Sequence, residues 1–146
     1  MDELKKALKI AFASEFSFYL KAHFFHWNVE GSLFKQLHDL FGDIYEEVYG
    51  SIDDFAENIR KTGSYTPGSF QRFSMLTQVD DEVNIPGPRD MIEELLADSD
   101  KMAGICKMVF DLAEQAGEHG LADFLAARQD AHRKHSWMLR ATLKDL

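Results

Sequence analysis

Two pairs of residues in this chain have side chains and spacing suited to holding a metal ion: His26 with His38, and Asp53 with Glu57. Glu57 lies four positions after Asp53, so on a helix both carboxylates share one face, one turn apart. Unneutralised, such neighbours repel by roughly a few tenths of a kcal/mol, and a cation between them removes the cost. A solvated acidic face shows the same spacing, and Asp54 next door fits that reading as well. The histidines flank a short break at Glu30 to Ser32, and an antiparallel hairpin there brings both imidazoles to one end of the molecule. A lone helical histidine is usually structural or exposed; two at matching heights beside a tight turn point further towards a site.

The distance between the pairs decides how they can act. His38 and Asp53 are fifteen residues apart, about 22 Å along a straight helix, yet offset by only about 60° around it. Metal bonds to nitrogen and oxygen are about 2 Å long. One copy of the chain therefore holds two half-sites. A second copy running antiparallel along the same face would set its Asp53 and Glu57 beside the first copy's His26 and His38, and a two-fold axis would make two identical sites. Gly42 and Gly50 lie within the same helix at a cost of about 1 kcal/mol each relative to Ala, which fits close approach of a neighbour, with Tyr45 and Tyr49 completing the contact. A di-iron site held within one chain uses Glu-x-x-His on its helices, and no Glu here is followed by His three residues later.

The elements that position these residues are helices. Residues 3–28 contain no Gly or Pro and carry Leu4, Leu8, Ala11, Phe18, Ala22 and Phe25 at three-, four- or seven-residue steps. Ser32 is placed to cap a second helix over 33–61, with Leu37, Leu40, Phe41, Ile44, Val48, Ile52, Phe55 and Ile59 as its apolar stripe and Thr62-Gly63 as its end. All three prolines fall between Gly63 and Arg89, marking a crossover. Phe70, Phe73 and Leu76 within it predict a short helix over 69–77 with one apolar side. A helix over 90–116, capped by Asp90, follows the crossover, and after a turn at Gly117 and Gly120 comes another over 121–143. The expectation is an all-α single domain over residues 1–146: a four-helix bundle with one long crossover carrying a short extra helix, which is the ferritin-like arrangement.

Composition narrows the partners. A net charge of −9 opposes wrapping nucleic acid by overall field and suits attraction of cations. Cys106, the only cysteine, excludes an intramolecular disulfide and sits among Met102, Ala103, Val109 and Phe110 as a buried thiol would. The first ten residues lack the apolar stretch of a signal peptide and nothing reads as a membrane span. A soluble, cytoplasmic protein is expected.

The segment HFFHWNVEGSLFKQLHDLFGDIYEEVYGSIDDFAENIRKTG resembles the signature region of Dps-type miniferritins, the DNA-protection-during-starvation family. The spacing of His26, His38, Asp53 and Glu57 matches that family's ferroxidase ligands, and LADFL and KHSWML near the end are similar too. The resemblance implies a homo-oligomeric shell of twelve subunits with tetrahedral symmetry. It implies iron sites at two-fold interfaces, where ferrous iron is oxidised, preferentially by hydrogen peroxide, and stored as ferric mineral inside. His26 and His38 would supply neutral nitrogen ligands, and Asp53 and Glu57 charge and bridging. Trp27 resembles a tryptophan that intercepts stray oxidising equivalents, a bulky core anchor being its other reading. Asp39 and Asp43 match acidic positions facing the cavity, where mineral nucleates, and Glu118 and Asp123 fall in a region associated with iron-admitting pores.

The chain departs from the family in one place. Four residues after His38 the family carries an acidic ligand for the second, weaker iron, and here that position is Gly42, with Asp43 pointing about 100° away. DNA-binding members use a Lys-rich tail, whereas Lys5, Lys6 and Lys9 already lie in the first helix and the sequence closes on Lys144, Asp145 and Leu146, so DNA binding is not expected. Two other readings stand beside the ferroxidase: a non-enzymatic shell or nucleoid protein with a degenerate iron site, and a helical adaptor for partner helices.

Overall fold

With no Gly or Pro to interrupt it, the first stretch forms one continuous helix, α1 (Asp2–Asn28), and the computed structural model, which describes all 146 residues, continues with α2 (Phe34–Lys61), α3 (Phe70–Leu76), α4 (Pro88–Gln115) and α5 (His119–Leu143). There is no strand, and the chain is an all-α ferritin-like bundle. No helix is long and apolar enough to cross a membrane.

Two expected caps are corrected. Ser32 does not cap α2: the N-cap is Leu33, without a side-chain hydrogen bond, because Gly31 at φ +113° turns the chain there and its carbonyl accepts from the Phe34 N–H. Asp90 does not cap α4 either. The helix starts two residues earlier, at Pro88, whose fixed φ and missing N–H suit a first helical position, and Asp90 lies in the first turn near the positive end of the dipole. Ser69 does cap α3, accepting from the Arg72 N–H at 3.2 Å.

Around the bundle, α1 lies against α2 and α4, and α4 lies against α5; α2 and α5 close the ring but approach each other least. Phe18, Phe25, Phe41 and Phe55 are fully buried at its centre with the Leu and Ile stripe of each helix, and Cys106 is buried among them. Burial pushes the Cys106 thiol up, so it stays a protonated, unreactive core group. The short helix α3 has a narrower apolar side than its spacing predicts. Phe73 packs on Phe12 and Phe16 of α1, with ring centroids 5.6 and 4.7 Å apart, while Phe70 is exposed. The crossover is tied down by backbone groups: the Gln78 N–H donates to Ser14 Oγ at 2.9 Å, and Lys101 Nζ donates to the Gln78 carbonyl at 3.0 Å.

Phe55 joins three elements, its ring 6.0 Å from Phe12 and 5.2 Å from Phe124. Truncating it leaves a cavity that helices on three sides cannot all move to fill. Phe55→Ala is expected to cost about 3–5 kcal/mol, read as a lower midpoint in guanidinium denaturation.

Candidate metal centre

The α1–α2 turn brings His26 and His38 face to face, their rings stacked with centroids 3.8 Å apart and 18° between planes. Each is fixed by the other's backbone. His26 Nδ1 lies 2.7 Å from the His38 carbonyl, and His38 Nδ1 lies 2.8 Å from the His26 carbonyl. A carbonyl can only accept, so each Nδ1 carries a proton and donates it. In the neutral ring, Nε2 is then the bare nitrogen, and both lone pairs are available to a metal ion. The His26 carbonyl is available for this because it belongs to the last turn of α1, where carbonyls lack intrahelical partners.

Gly42 takes on a meaning that spacing alone did not carry. A Cβ built there would meet Cε1 and Nδ1 of His26, both at 3.2 Å. Within the chain, the tight neighbour is thus the histidine ring. Gly50 has nothing within 4 Å of such a Cβ, so nothing within the chain requires glycine there. Tyr45 stacks on His23 of its own chain at 3.7 Å. On its other side His23 meets Trp27 at 4.0 Å, and its Nδ1 lies 2.9 Å from Tyr19 Oη. Burial, and after it the nearby His26, lower the pKa of His23, which favours its neutral form. Trp27 is no core anchor: it is 57% exposed at the edge of this aromatic group. His23 was missed in the sequence, although its place three residues before His26 puts both on one helical face.

The carboxylates stand apart. Asp53 and Glu57 are exposed and have no hydrogen-bond or ion-pair partner within the chain. No group of three or more His, Cys, Asp or Glu in the single chain is arranged to hold a metal ion. Glu57 lines a 520 Å³ cleft between α2 and α5 together with Asp54, Lys61, Glu118 and Asp123. Asp43 lines a second, 270 Å³ cleft on the same seam with Glu47, Lys134 and His135. Asp39 is exposed and pairs with Lys35 at 3.1 Å.

Between the two clefts a polar network crosses the interior. Glu15, without any exposed surface, accepts from Ser51 Oγ at 2.7 Å and Arg128 Nε at 2.8 Å, and its other oxygen is 2.5 Å from His132 Nε2. Arg128 also reaches Glu47 at 2.6 and 3.1 Å, and His135 Nε2 meets Glu47 at 2.8 Å. Burial pushes the Glu15 carboxyl up, but His132, Arg128 and Ser51 outweigh it and hold its pKa at about 2. Glu47 is likewise held at about 2, where the hydrogen bonds of His135 and Arg128 outweigh burial. The sequence carried a signal for this: the apolar stripe of α1 skips from Ala11 to Phe18, and the residues in the gap, Ser14 and Glu15, are buried. On α5, Arg128, His132 and His135 recur at four and three residues, one helical face.

Comparison with known proteins places the chain. Residues 5–146 match the ferritin-like domain family. The DNA protection during starvation protein of Brevibacillus brevis is 31% identical over 126 residues, covering 86% of this chain and 85% of that protein. The crystal structure of Dps from Thermosynechococcus elongatus superposes with a TM-score of 0.95 at 26% identity, covering 99% of this chain and 92% of that one. The Dps protein of Vibrio cholerae O1, described as a member of a broad superfamily of ferritin-like diiron-carboxylate proteins, superposes with a TM-score of 0.93 at 26% identity over 98% of this chain and 90% of that one.

Two measurements follow from the geometry. The His26 ring can move away from a new Cβ only by lengthening its bond to the His38 carbonyl, so Gly42→Ala should weaken zinc binding by about tenfold in calorimetric titration. Zinc is used because it cannot be oxidised. Glu15 and Glu47 have depressed pKa values, so their stabilisation is complete above the ordinary value of 4.5 and is lost as pH falls through about 2. Thermal midpoints should therefore drop between pH 4.5 and 2, and Glu15→Gln should flatten that decline while lowering the midpoint at neutral pH.

Proposed function

We propose, on the premise that this chain belongs to the ferritin-like domain family and within it to the Dps-type miniferritins, that it oxidises ferrous iron with hydrogen peroxide at sites shared between two subunits and stores the ferric product. The observation that carries the reading is the division of donors. Two imidazoles are locked with their Nε2 lone pairs free, while two carboxylates stand unpartnered on the same chain and no three donors of one chain are grouped to hold an ion. In this reading His26 and His38 of one subunit meet Asp53 and Glu57 of its two-fold mate, within a shell of twelve.

Peroxide accepts two electrons as its O–O bond breaks. If each comes from a separate ferrous ion held at one centre, no one-electron step remains to release hydroxyl radical. The imidazoles bind iron without adding charge, and the carboxylates balance it and can bridge two ions. Gly42 supplies no ligand, so the second iron relies on the carboxylates and water and is held more weakly. Trp27, exposed and 4.0 Å from His23, is placed to give up an electron when oxidation goes astray. The cleft joining Glu118 and Asp123 to Glu57 offers ferrous ions an acidic approach, and Asp39 and Asp43 offer carboxylates for mineral nucleation. The net charge of −9 per chain attracts these cations and repels DNA, so protection here works through iron and peroxide chemistry in the cytoplasm rather than through DNA binding.

Gly42 favours one other reading, a non-enzymatic shell protein whose iron site has degenerated. Stopped-flow oxidation of anaerobically loaded ferrous iron by peroxide separates the two. The ferroxidase consumes about two ferrous ions per peroxide, from the two-electron reduction, and Asp53→Asn slows it by at least about tenfold. A wild-type rate no faster than that of the variant leaves the shell protein.

A further inference from the structure

The interior network holds more ligands than its cation uses. Arg128 brings one positive charge to two carboxylates, Glu15 and Glu47, and two imidazoles, His132 and His135, complete the ring of donors. Those side chains come from α1, α2 and α5 and converge at mid-height, where a bundle of this class can hold metal within one chain by inward-facing carboxylates and histidines. His132 is fully buried; its Nε2 faces Glu15, and its Nδ1, on the other side of the ring, has no hydrogen-bond partner. An approach from outside exists as well, because the 270 Å³ cleft lined by Asp43, Glu47 and His135 reaches the network, and the Glu47 side chain is 40% exposed.

We infer that Arg128 is a resident cation: its guanidinium fills a two-carboxylate, two-imidazole metal site at the centre of each chain, and by filling it keeps divalent transition metals out of the bundle. Arginine suits this use because its charge persists at any working pH and its planar fork engages both carboxylates at once. With Arg128 in place, one oxygen of Glu15 and both of Glu47 accept from guanidinium N–H groups, while His132 takes the other Glu15 oxygen and His135 shares one of Glu47. Without it, the two carboxylates lose a cation that offsets their burial, and a divalent metal would supply that charge in its place. This inference concerns the interior of one chain and stands whether or not the shared centre oxidises iron.

The test uses cobalt(II), whose visible absorption reports nitrogen and oxygen coordination. The background is the full chain carrying Asp53→Asn and Glu57→Gln, which removes the shared carboxylates. Adding Arg128→Ala should create about one further cobalt ion per chain and a rise in thermal midpoint on metal addition that the background lacks. A further His135→Ala should weaken that binding by about 10–100-fold. Arg128→Ala leaves two buried carboxylates unpaired, so folding that depends on added cobalt or zinc supports the inference too. Arg128→Gln, which keeps volume and hydrogen-bonding capacity, serves as the second variant. Either variant folded with no cobalt beyond the background overturns the inference. So does added cobalt that persists undiminished with His135→Ala, or failure of both variants to fold even with metal present.

Discussion

A carboxylate with no exposed surface, Glu15, sits midway along α1, and much of the bundle's arrangement is an answer to it. An ionised carboxylate in the interior is tolerable only when charges and hydrogen bonds replace the water it has lost. Arg128, His132 and Ser51 do so, and Arg128 then needs Glu47, which recruits His135. Three helices are thereby held in one rotational setting. The setting matters at the end of the bundle as well, because α1 and α2 must meet with His26 and His38 at the same height for each ring to find the other's carbonyl.

How much of this was legible depends on whether the property is local. Helix extents, the crossover and the hairpin follow from apolar spacing and from where Gly and Pro fall, and those are read residue by residue. The separation of the His pair from Asp53 and Glu57 was equally legible, since the rise of a helix is a constant. Caps were less so: Ser32 and Asp90 have the right chemistry, but the backbone turned at Gly31 and Pro88 and left both outside the capping position. The role of Gly42 was hidden for another reason. What occupies the space beside it is His26, sixteen residues earlier, and a contact across a hairpin leaves no periodicity. The Glu15 network lay between these cases, visible as a gap in one stripe and a polar recurrence in another, with nothing in the sequence to say that the two face each other.

The two polar constructions differ in what they ask of the protein. The histidine pair is built on backbone carbonyls, so its geometry is as rigid as the turn that presents it, and its side chains remain free on the outward side. The interior network is built almost wholly on side chains and meets solvent mainly at Glu47. One is an open arrangement poised for something further, and the other leaves a single unsatisfied nitrogen, His132 Nδ1.

The seam between α2 and α5 gives the bundle an uneven response to heat. Elsewhere the helices are joined mainly by buried apolar side chains, with Lys21–Asp98 between α1 and α4 as a smaller ionic contact. The apolar contribution per unit area levels off as temperature rises. This seam, flanked by two clefts, is joined by Arg128, Glu47 and His135. The cost of withdrawing such charges from water falls on warming. A bundle joined this way trades rigidity between its two kinds of contact as conditions change: the ionic seam gains relative weight in warmth, and the apolar faces hold it when salt or acid weakens the charges.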